Sequence, residues 1–174
     1  PRPVGWISTL SAQGVANLAP YSFFNAFSDD PFYVAFGSGG YKHTLRNVTD
    51  TREFAFNLAT YDLREAMNVS STGADVDEFV AAGLEKGACR LIKAPRVLAS
   101  PVTLECKHFK TVELPGADGE AHDWLVIGKV VGVHIDDQFI ENGRVNTAAM
   151  RPIARLGYSE YATVDMVWRM RRPD

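Results

Sequence analysis

Short segments that alternate between apolar and polar residues recur towards both ends of this chain, and this pattern limits its fold more than any other feature. Alternation with period two is typical of strands that bury one face. Signals for helices lie mainly in the middle of the chain and predict only short elements. Because no regular strand–helix repeat appears, the pattern favours a mainly β fold, a closed or partly closed barrel with short helical insertions, over a doubly wound sheet. The alternating segments include VGWISTLSAQGVANLA, REFAFNLA, VTLECKHF and WLVIGKVVGVHI.

Turn and cap residues predict where several elements begin and end. The segment Ser11–Gly14 lies between two alternating runs and ends in glycine, which predicts a β-hairpin. Thr44 is predicted to cap a short helix that runs to about Asp50. Two further short helices are predicted from an acidic residue followed three positions later by a glutamate, and Gly83 is expected to end the second. These two start signals are Asp62 with Glu65 and Asp75 with Glu78.

The segment NLAPYSFF, from Asn17 to Phe24, places a proline inside an otherwise strand-like run. Proline cannot donate to a sheet ladder, so it is confined to edges, strand starts and irregular positions. The segment therefore predicts a strand that ends, bends and restarts. An edge strand with a proline bend and no further role is the alternative interpretation.

Composition limits the classes of partner and compartment. The 174 residues are expected to form one domain over 1–174. A formal net charge of -3 argues against nucleic acid, which requires a basic face. Cys89 and Cys106 lack metal-ligand spacing, which favours reduced structural thiols and a cytoplasmic location. The sequence shows no apolar run of membrane-spanning length and no secretory signal pattern, so we expect neither a membrane span nor a signal peptide.

The segment WLVIGKVVGVHI is the longest predicted strand and carries two glycines. They either relieve barrel curvature or allow another group to approach the backbone closely. His134, near the strand end, is either a hydrogen-bonded surface histidine or a functional one. If the strand is regular, one face carries Trp124, Val126, Gly128, Val130, Gly132 and His134.

The segment SGGYKHT is predicted to be a loop that precedes the helix at Thr44. Backbone N–H groups of a glycine-containing turn can form a concavity for anions, and a lysine adds charge beside it. Ser38, Lys42 and Thr44 would together suit a phosphate. A solvated surface turn is the alternative. The chain contains neither GxGxxG nor GxxxxGK[ST], so a nucleotide would bind in some other way.

Other catalytic chemistries have little support from sequence motifs. The four histidines are scattered without HExxH spacing, so we expect no dedicated metal site. A GxSxG elbow is absent, which argues against a nucleophilic hydrolase. The carboxylates lie mainly at predicted helix starts, where the helix dipole already explains them.

Taken in order, several segments resemble the flavin reductase-like family with the FMN-binding split barrel. The similarity covers nearly the whole chain, and STLSAQGVANLAPYSFF is its most specific part. It implies a Greek-key barrel that forms a homodimer, with one FMN in each of two clefts near the subunit interface. It also implies that members begin several residues before Pro1. The resemblance rests on PRPVGWISTLSAQGVANLAPYSFFNAFSDDP, KHT, NVTDTREFAFNLA, APRVLASPVTLEC and IARLGYSEYATV.

The resemblance also implies roles for individual residues. In the opening segment, Pro20 would free the backbone to face the flavin, and Trp6 would pack either near the ring or in the core. The family usually has Lys-Asp-Thr where this chain has Lys-His-Thr, so His43 is a departure that changes local charge. His134 and Arg155 would contact nicotinamide or substrate, and an ion pair is the alternative for Arg155. Contacts to the flavin ring and ribityl chain are assigned to Thr9, Asn17, Ala19, Ser22 and Phe23, and contacts to the phosphate to Ser38, Lys42 and Thr44.

Three functions follow from this resemblance. The first is an NAD(P)H-dependent flavin reductase that passes hydride to FMN and supplies reduced flavin to a partner such as a flavin-dependent monooxygenase. The second is a flavoredoxin-like carrier that receives electrons from a protein donor. The third is a non-redox barrel that has lost the cofactor. In the first two the cofactor carries the chemistry, so a catalytic triad is not required.

Overall fold

A seven-stranded antiparallel sheet organises the fold in this computed structural model, which describes residues 1–173. The order of strands in the sheet is β3-β2-β6-β9-β10-β5-β4, which confirms the mainly β prediction. The strands are β1 (Arg2–Pro3), β2 (Gly5–Leu10), β3 (Ala16–Tyr21), β4 (Phe24–Asp29), β5 (Phe32–Gly39), β6 (Glu53–Leu58), β7 (Lys86–Gly87), β8 (Arg96–Val97), β9 (Val102–Pro115), β10 (Ala121–Ile135), β11 (Ile140–Glu141), β12 (Arg144–Val145), β13 (Ile153–Arg155) and β14 (Tyr161–Thr163). The α-helices are α1 (His43–Thr51), α2 (Arg64–Val69), α3 (Glu78–Ala81) and α4 (Thr147–Met150), and Asp137–Phe139 form a 3-10 turn.

Contacts between strands far apart in the sheet order show that the sheet curls into a barrel. Tyr21 of β3 lies against Phe36 of β5, with ring centroids 4.7 Å apart. Phe24 of β4 stacks on Phe56 of β6 at 4.6 Å. Helix α1 carries the chain from β5 on one side of the sheet to β6 on the other. This non-sequential order agrees with the predicted Greek-key split barrel.

Two hydrophobic clusters lie on opposite faces of β2 because its side chains alternate in direction. Ile7 belongs to the cluster inside the barrel, with Phe36 and Phe54. Trp6 belongs to the outer cluster, which packs beneath α2 and α3. Trp6 is fully buried, and its Nε1 donates to Ser70 Oγ at 2.8 Å. Of its two predicted positions, Trp6 therefore occupies the core.

The turn at Ser11–Gly14 forms as predicted, but the bend after Pro20 falls later than expected. Gly14 has φ +82°, and the Ser11 hydroxyl accepts from the Val15 N–H at 3.0 Å. Strand β3 continues through Pro20, which pairs with Trp6, and ends at Tyr21. The bend lies at Ser22 and Phe23 instead, before β4 begins. Because β3 is the edge of the sheet, the missing N–H of proline is tolerated there.

Strand β10 is long but irregular, so the condition under which its alternate residues would share one face is not met. Its pairing with β9 shifts register between Ile127 and Gly128 and again between Val130 and Gly132. A Cβ on Gly128 would lie 2.4 Å from the Phe54 ring, so an aromatic side chain occupies the space beside this backbone. The absence of a side chain at Gly128 thus allows the Phe54 ring to approach the backbone closely, and the register shifts provide curvature.

The helix boundaries correct three predicted caps. Helix α1 begins at His43, and Thr44 lies inside its first turn instead of capping it. Helix α2 begins after Leu63, without a side-chain cap from Asp62. In α3 the cap is Asp77, whose carboxylate accepts from the N–H groups of the next turn, and Asp75 lies outside the helix. Gly83, with φ +66°, follows the end of α3 as predicted.

Both cysteines are free thiols. Burial raises the pKa of Cys89 to about 12 and also raises the pKa of Cys106. Thiolate chemistry at neutral pH is therefore unfavourable at either position. Among residues 1–173, none of the helices has the length and hydropathy needed to span a membrane.

Candidate functional site

A cavity of about 250 Å³ lies between β3, the start of α1 and the segment that precedes α3. It brings together four residues that were predicted as cofactor contacts, namely Asn17, Ala19, Lys42 and Thr44. These residues come from two parts of the chain that the sheet places side by side. We call this the first cavity. Its other lining residues are Tyr21, Tyr41, His43, Thr72, Gly73 and Glu78.

The N-terminus of α1 opens towards this cavity without a competing cap. Lys42 occupies the N-cap position in extended conformation and makes no side-chain cap bond, and the first turn contains no acidic residue. The first N–H groups of a helix have no partner within the helix. Together with the exposed Lys42 side chain, they suit an anion such as a phosphate ester.

Hydroxyl and amide groups form the polar side of the cavity. The Asn17 amide donates to Thr44 Oγ1 at 2.9 Å, and both residues are buried. The Ser38 hydroxyl is fully buried and donates to the Gly40 carbonyl at 3.0 Å, which holds the loop before α1. Burial raises the pKa of Tyr21, while hydrogen bonds with Thr44 and Ser38 act in the opposite direction. Tyr21 thus lies beside two of the three predicted phosphate residues.

Glu78 is a lining residue that the sequence interpretation missed as part of the site. It is 3% exposed, and its Oε2 accepts from the Leu18 N–H at 3.2 Å. Burial raises the pKa of Glu78, although its own N–H, the Leu18 N–H and the charge of His43 oppose the shift. Because Glu78 lies three residues after Asp75, the sequence indicated only a helix start here. Asp77 caps α3 instead, and the Glu78 side chain faces the cavity.

Thr9 lies next to the first cavity but does not line it. It is fully buried on β2, where its Oγ1 accepts from the Asn47 amide at 3.0 Å. The other polar atom of Asn47, Oδ1, is buried without a hydrogen-bond partner in the described residues. A buried amide oxygen without a donor is costly. Asn47 was not among the predicted site residues, and no motif singled it out.

The remaining predicted contacts lie elsewhere. Ser22 and Phe23 form the bend before β4, and the Phe23 ring is 68% exposed beneath the guanidinium of Arg2. His134 on β10 bonds to the buried carboxylate of Glu105. The Arg155 guanidinium on β13 donates to Tyr161 Oη at 2.7 Å and also bonds to the Tyr158 carbonyl. The roles assigned to these residues stay predictions.

The side chains of Cys89, Glu105 and His134 place possible metal ligands within 4.8 Å of one another. The Glu105 carboxylate, however, already accepts the N–H groups of Arg90, Leu91 and Ile92. With His134 as a fourth partner, both carboxylate oxygens are engaged. The Glu105 carboxylate therefore holds the 90–92 loop against the barrel, and a metal would have to displace these hydrogen bonds.

The sequence is similar to a known protein family and to several relatives in other organisms. The family model for the flavin reductase like domain matches residues 1–154. An uncharacterized protein of Aquifex aeolicus is 36% identical over 170 residues, covering 92% of this chain and 83% of the relative.

Solved structures share the fold over nearly the whole chain. Nitrilotriacetate monooxygenase component B from Bacillus cereus has a TM-score of 0.91 and 27% identity, with 98% of this chain and 87% of that chain covered. The flavoredoxin of Desulfovibrio vulgaris (Miyazaki F) has a TM-score of 0.87 over 98% of this chain and 90% of that chain, and at 18% identity it shows the fold alone. The chain belongs to the flavin reductase-like family.

Proposed function

We propose that this chain is an NAD(P)H-dependent flavin reductase that binds FMN with its phosphate at the N-terminus of α1. The observation that carries the proposal is this uncapped helix start, with Lys42 beside it, opening into a cavity of a flavin reductase-like barrel that Asn17 and Thr44 line with polar groups. A phosphate ester matches the donors in both charge and hydrogen bonding.

The residues of the first cavity divide into two roles. Lys42 and the N–H groups of the first helical turn would hold the phosphate. Asn17 and Thr44, already bonded to each other, would orient the ribityl hydroxyls. The chemistry supplied by bound FMN is acceptance of hydride from a nicotinamide and release of electrons to an acceptor. Protein side chains therefore need only bind, orient and exclude water.

The volume of the first cavity supports a dimeric site. At about 250 Å³ it lies below the range of roughly 300–1,000 Å³ typical of small-molecule sites. It would take the phosphate and ribityl chain, and a second subunit would complete the surface around the ring. Phe23 and Phe27, which are 68% and 66% exposed, offer apolar area for such a homodimer. Similarity to a protein named as a monooxygenase component supports a monooxygenase as recipient of reduced flavin.

A flavoredoxin-like electron carrier is the second candidate, because the fold is shared with a flavoredoxin. In that case a protein donor would reduce the bound flavin. Both candidates require a flavin, whereas a barrel that has lost the cofactor would bind none.

Absorbance spectroscopy separates the three functions. The purified protein is titrated with FMN, and the complex is then treated anaerobically with NADH and, separately, with NADPH. Bleaching of the flavin by one nucleotide is the expected result and identifies the donor. A stable yellow complex that neither nucleotide bleaches would favour the carrier. Failure to bind FMN would contradict both redox functions.

A further inference from the structure

A cavity of about 360 Å³ lies at the end of β10 that is remote from the first cavity. Trp124 of β10 pairs with Ser38, close to the loop before α1, whereas His134 lines this other cavity near the opposite end of the strand. A strand rises by about 3.3 Å per residue, so Trp124 and His134 are roughly 30 Å apart along β10. The proposed flavin site does not account for this second space. We call it the arginine cavity, because Arg90 and Arg96 line it.

Arg96 brings to this cavity a guanidinium group that the fold leaves unsatisfied. Its Nε atom is buried and forms no hydrogen bond within residues 1–173. Strand pairing places Arg96 opposite Gly87, and a Cβ at Gly87 would lie 3.0 Å from Arg96 Cγ and 3.1 Å from Nε. The bare backbone of Gly87 therefore makes room for the arginine side chain. A buried N–H without an acceptor is costly, which indicates that an acceptor from outside the chain completes the site.

Arg90 adds a second cation to the same cavity. Its side chain is exposed, and in the described part of the chain neither Arg90 nor Arg96 forms an ion pair. The backbone of Arg90 is held in place, because its N–H donates to Glu105 Oε1 at 2.8 Å. Glu105 also bonds to His134, so one buried carboxylate fixes two sides of the cavity.

Two acidic residues also line the cavity, but they do not neutralise its arginines. Both carboxylate oxygens of Asp136 are engaged by Gln138, at 3.1 Å from its backbone N–H and 2.5 Å from its side-chain amide. Asp137 is exposed, and neither acid pairs with an arginine among residues 1–173. Water and salt screen exposed charges. The unpaired guanidinium groups, above all the buried Nε of Arg96, therefore favour an anion in this cavity.

Apolar side chains form the remaining walls of the arginine cavity. Leu98 and Val133 line it although they are 40% and 54% exposed, so each leaves apolar surface available to a ligand. The volume lies within the range of roughly 300–1,000 Å³ typical of small-molecule sites. A bare inorganic anion would leave most of this space empty. The walls thus suit a molecule that joins an anionic group to an apolar body.

We propose that the arginine cavity binds a small organic carboxylate, whose oxygens accept from Arg96 and Arg90 while its apolar body packs against Leu98 and Val133. An arginine side chain presents two parallel N–H donors to a planar carboxylate, and such charge-assisted bonds are stronger than neutral ones. The assignment goes beyond the proposed flavin chemistry and does not depend on it, since this cavity shares no lining residue with the first.

Titration of the whole chain with benzoate tests this assignment, with benzyl alcohol as the neutral counterpart of the probe. Amide signals are followed by NMR spectroscopy, and dissociation constants are obtained both without FMN and with FMN present. We expect benzoate to shift the signals of Leu98 and Val133, with the same affinity in both states. Benzyl alcohol should leave these signals unchanged, because it carries no charge for the arginines.

Three variants locate the bound probe. Arg96→Lys keeps the charge but loses the two-pronged donor, so it should weaken benzoate binding by about tenfold or more. Arg90→Ala should weaken it by a similar factor. Because Arg90 is exposed, this second variant keeps the test valid if Arg96→Lys perturbs the fold. Lys110 is exposed on β9 and does not line the cavity, so Lys110→Ala controls for a general loss of charge.

Three outcomes overturn the assignment. Absence of benzoate binding at millimolar concentration rejects the site. Equal affinity of the wild type, Arg96→Lys and Arg90→Ala, or signal shifts confined to the first cavity, would show that the probe binds elsewhere. Phenyl phosphate that binds more tightly than benzoate, and loses affinity in the same two variants, would replace the carboxylate with a phosphate ester. Titration with FMN tests the proposed function separately, so its failure would leave the benzoate result standing.

Discussion

Glu105 and Glu78 are both buried carboxylates beside loops of the same barrel, yet their surroundings differ. Glu105 accepts three backbone N–H groups of the 90–92 loop and pairs with His134. Burial raises its pKa, but the Arg90 N–H, His134 and the Leu91 N–H together hold the pKa below its ordinary value. Glu78 accepts from one N–H of another element, and its pKa is raised.

The difference separates two roles of a buried carboxylate. Glu105 stabilises the fold, whereas Glu78 lines the candidate site. A neighbouring carboxylate, Glu53, accepts from the Lys93 N–H at 2.5 Å and pairs with Lys107 at 2.7 Å, so it holds the same loop. Around the first cavity, by contrast, the helix start is uncapped and Asn47 Oδ1 lacks a donor among residues 1–173. Polar groups satisfied within the chain stabilise the fold, whereas those left open are available to a ligand.

The largest effect is expected at Glu105. Glu105→Gln should lower the free energy of unfolding by about 3–5 kcal/mol, because an amide cannot satisfy four donors and the paired charge is lost. Chemical denaturation measures the change. Glu113→Gln, an exposed site on the same strand, is the control and should change stability by less than about 0.5 kcal/mol. Equal stability of the two variants would contradict the structural role of Glu105.

The next effect concerns the open helix start. Lys42→Ala should weaken FMN binding by roughly ten- to a hundredfold, since a charged hydrogen bond contributes about 1.5–3 kcal/mol. Unlike Glu105→Gln, it should leave stability nearly unchanged, because Lys42 is exposed and forms no ion pair in the described residues. Fluorescence titration of FMN gives the affinity, with Lys110→Ala as control. An unchanged affinity would remove Lys42 from the phosphate site.

A smaller effect should follow from neutralising Glu78. Glu78→Gln keeps an acceptor for the Leu18 N–H but removes a negative charge from the cavity proposed to hold a phosphate. We expect FMN to bind about fivefold more tightly at neutral pH, a gain of about 1 kcal/mol. Titration beside Glu65→Gln, an exposed carboxylate outside the cavity, checks the result. Weaker binding would indicate that the Glu78 carboxylate helps to hold the ligand.

The smallest effect is a pH dependence of opposite sign at the two acids. A raised pKa in the folded state means that the contribution of Glu78 to stability is present below its unfolded pKa and lost as pH rises through its folded pKa. The lowered pKa of Glu105 means that its contribution is present above its unfolded pKa and lost as pH falls through its folded pKa.

Unfolding free energies measured between pH 3 and pH 8 test these signs. Relative to the wild type, Glu78→Gln should gain stability as pH rises, because the wild type loses the contribution of Glu78 over that range. Relative to the wild type, Glu105→Gln should lose stability over the same rise. Curves that remain parallel to the wild type would show that neither carboxylate titrates differently on folding.

Much of the barrel could be predicted from local patterns. Period-two alternation indicated the main strands, Gly14 marked the hairpin, and Gly83 marked the end of α3. The sites of helix initiation were predicted less well, because neighbouring residues compete to cap a helix. Asp77 caps α3 although Asp75 also fits a start signal. Register shifts in β10 were missed because alternation alone does not reveal a bulge. That residues 1–174 form one domain stays a prediction.

The sequence by itself indicated the main strands, the turn at Gly14 and the resemblance to the flavin reductase-like family. The segment SGGYKHT was predicted as a loop, but its first two residues end β5, and only residues 40–42 lie between β5 and α1. Only the tertiary structure decided which side chains meet at the site. Asn17 bonds to Thr44, 27 residues away, and Leu18 bonds to Glu78, 60 residues away. These contacts depend on the order of strands in the sheet and on its curl. Side-chain periodicity reports which face of a strand is buried, but it does not specify which distant element covers that face.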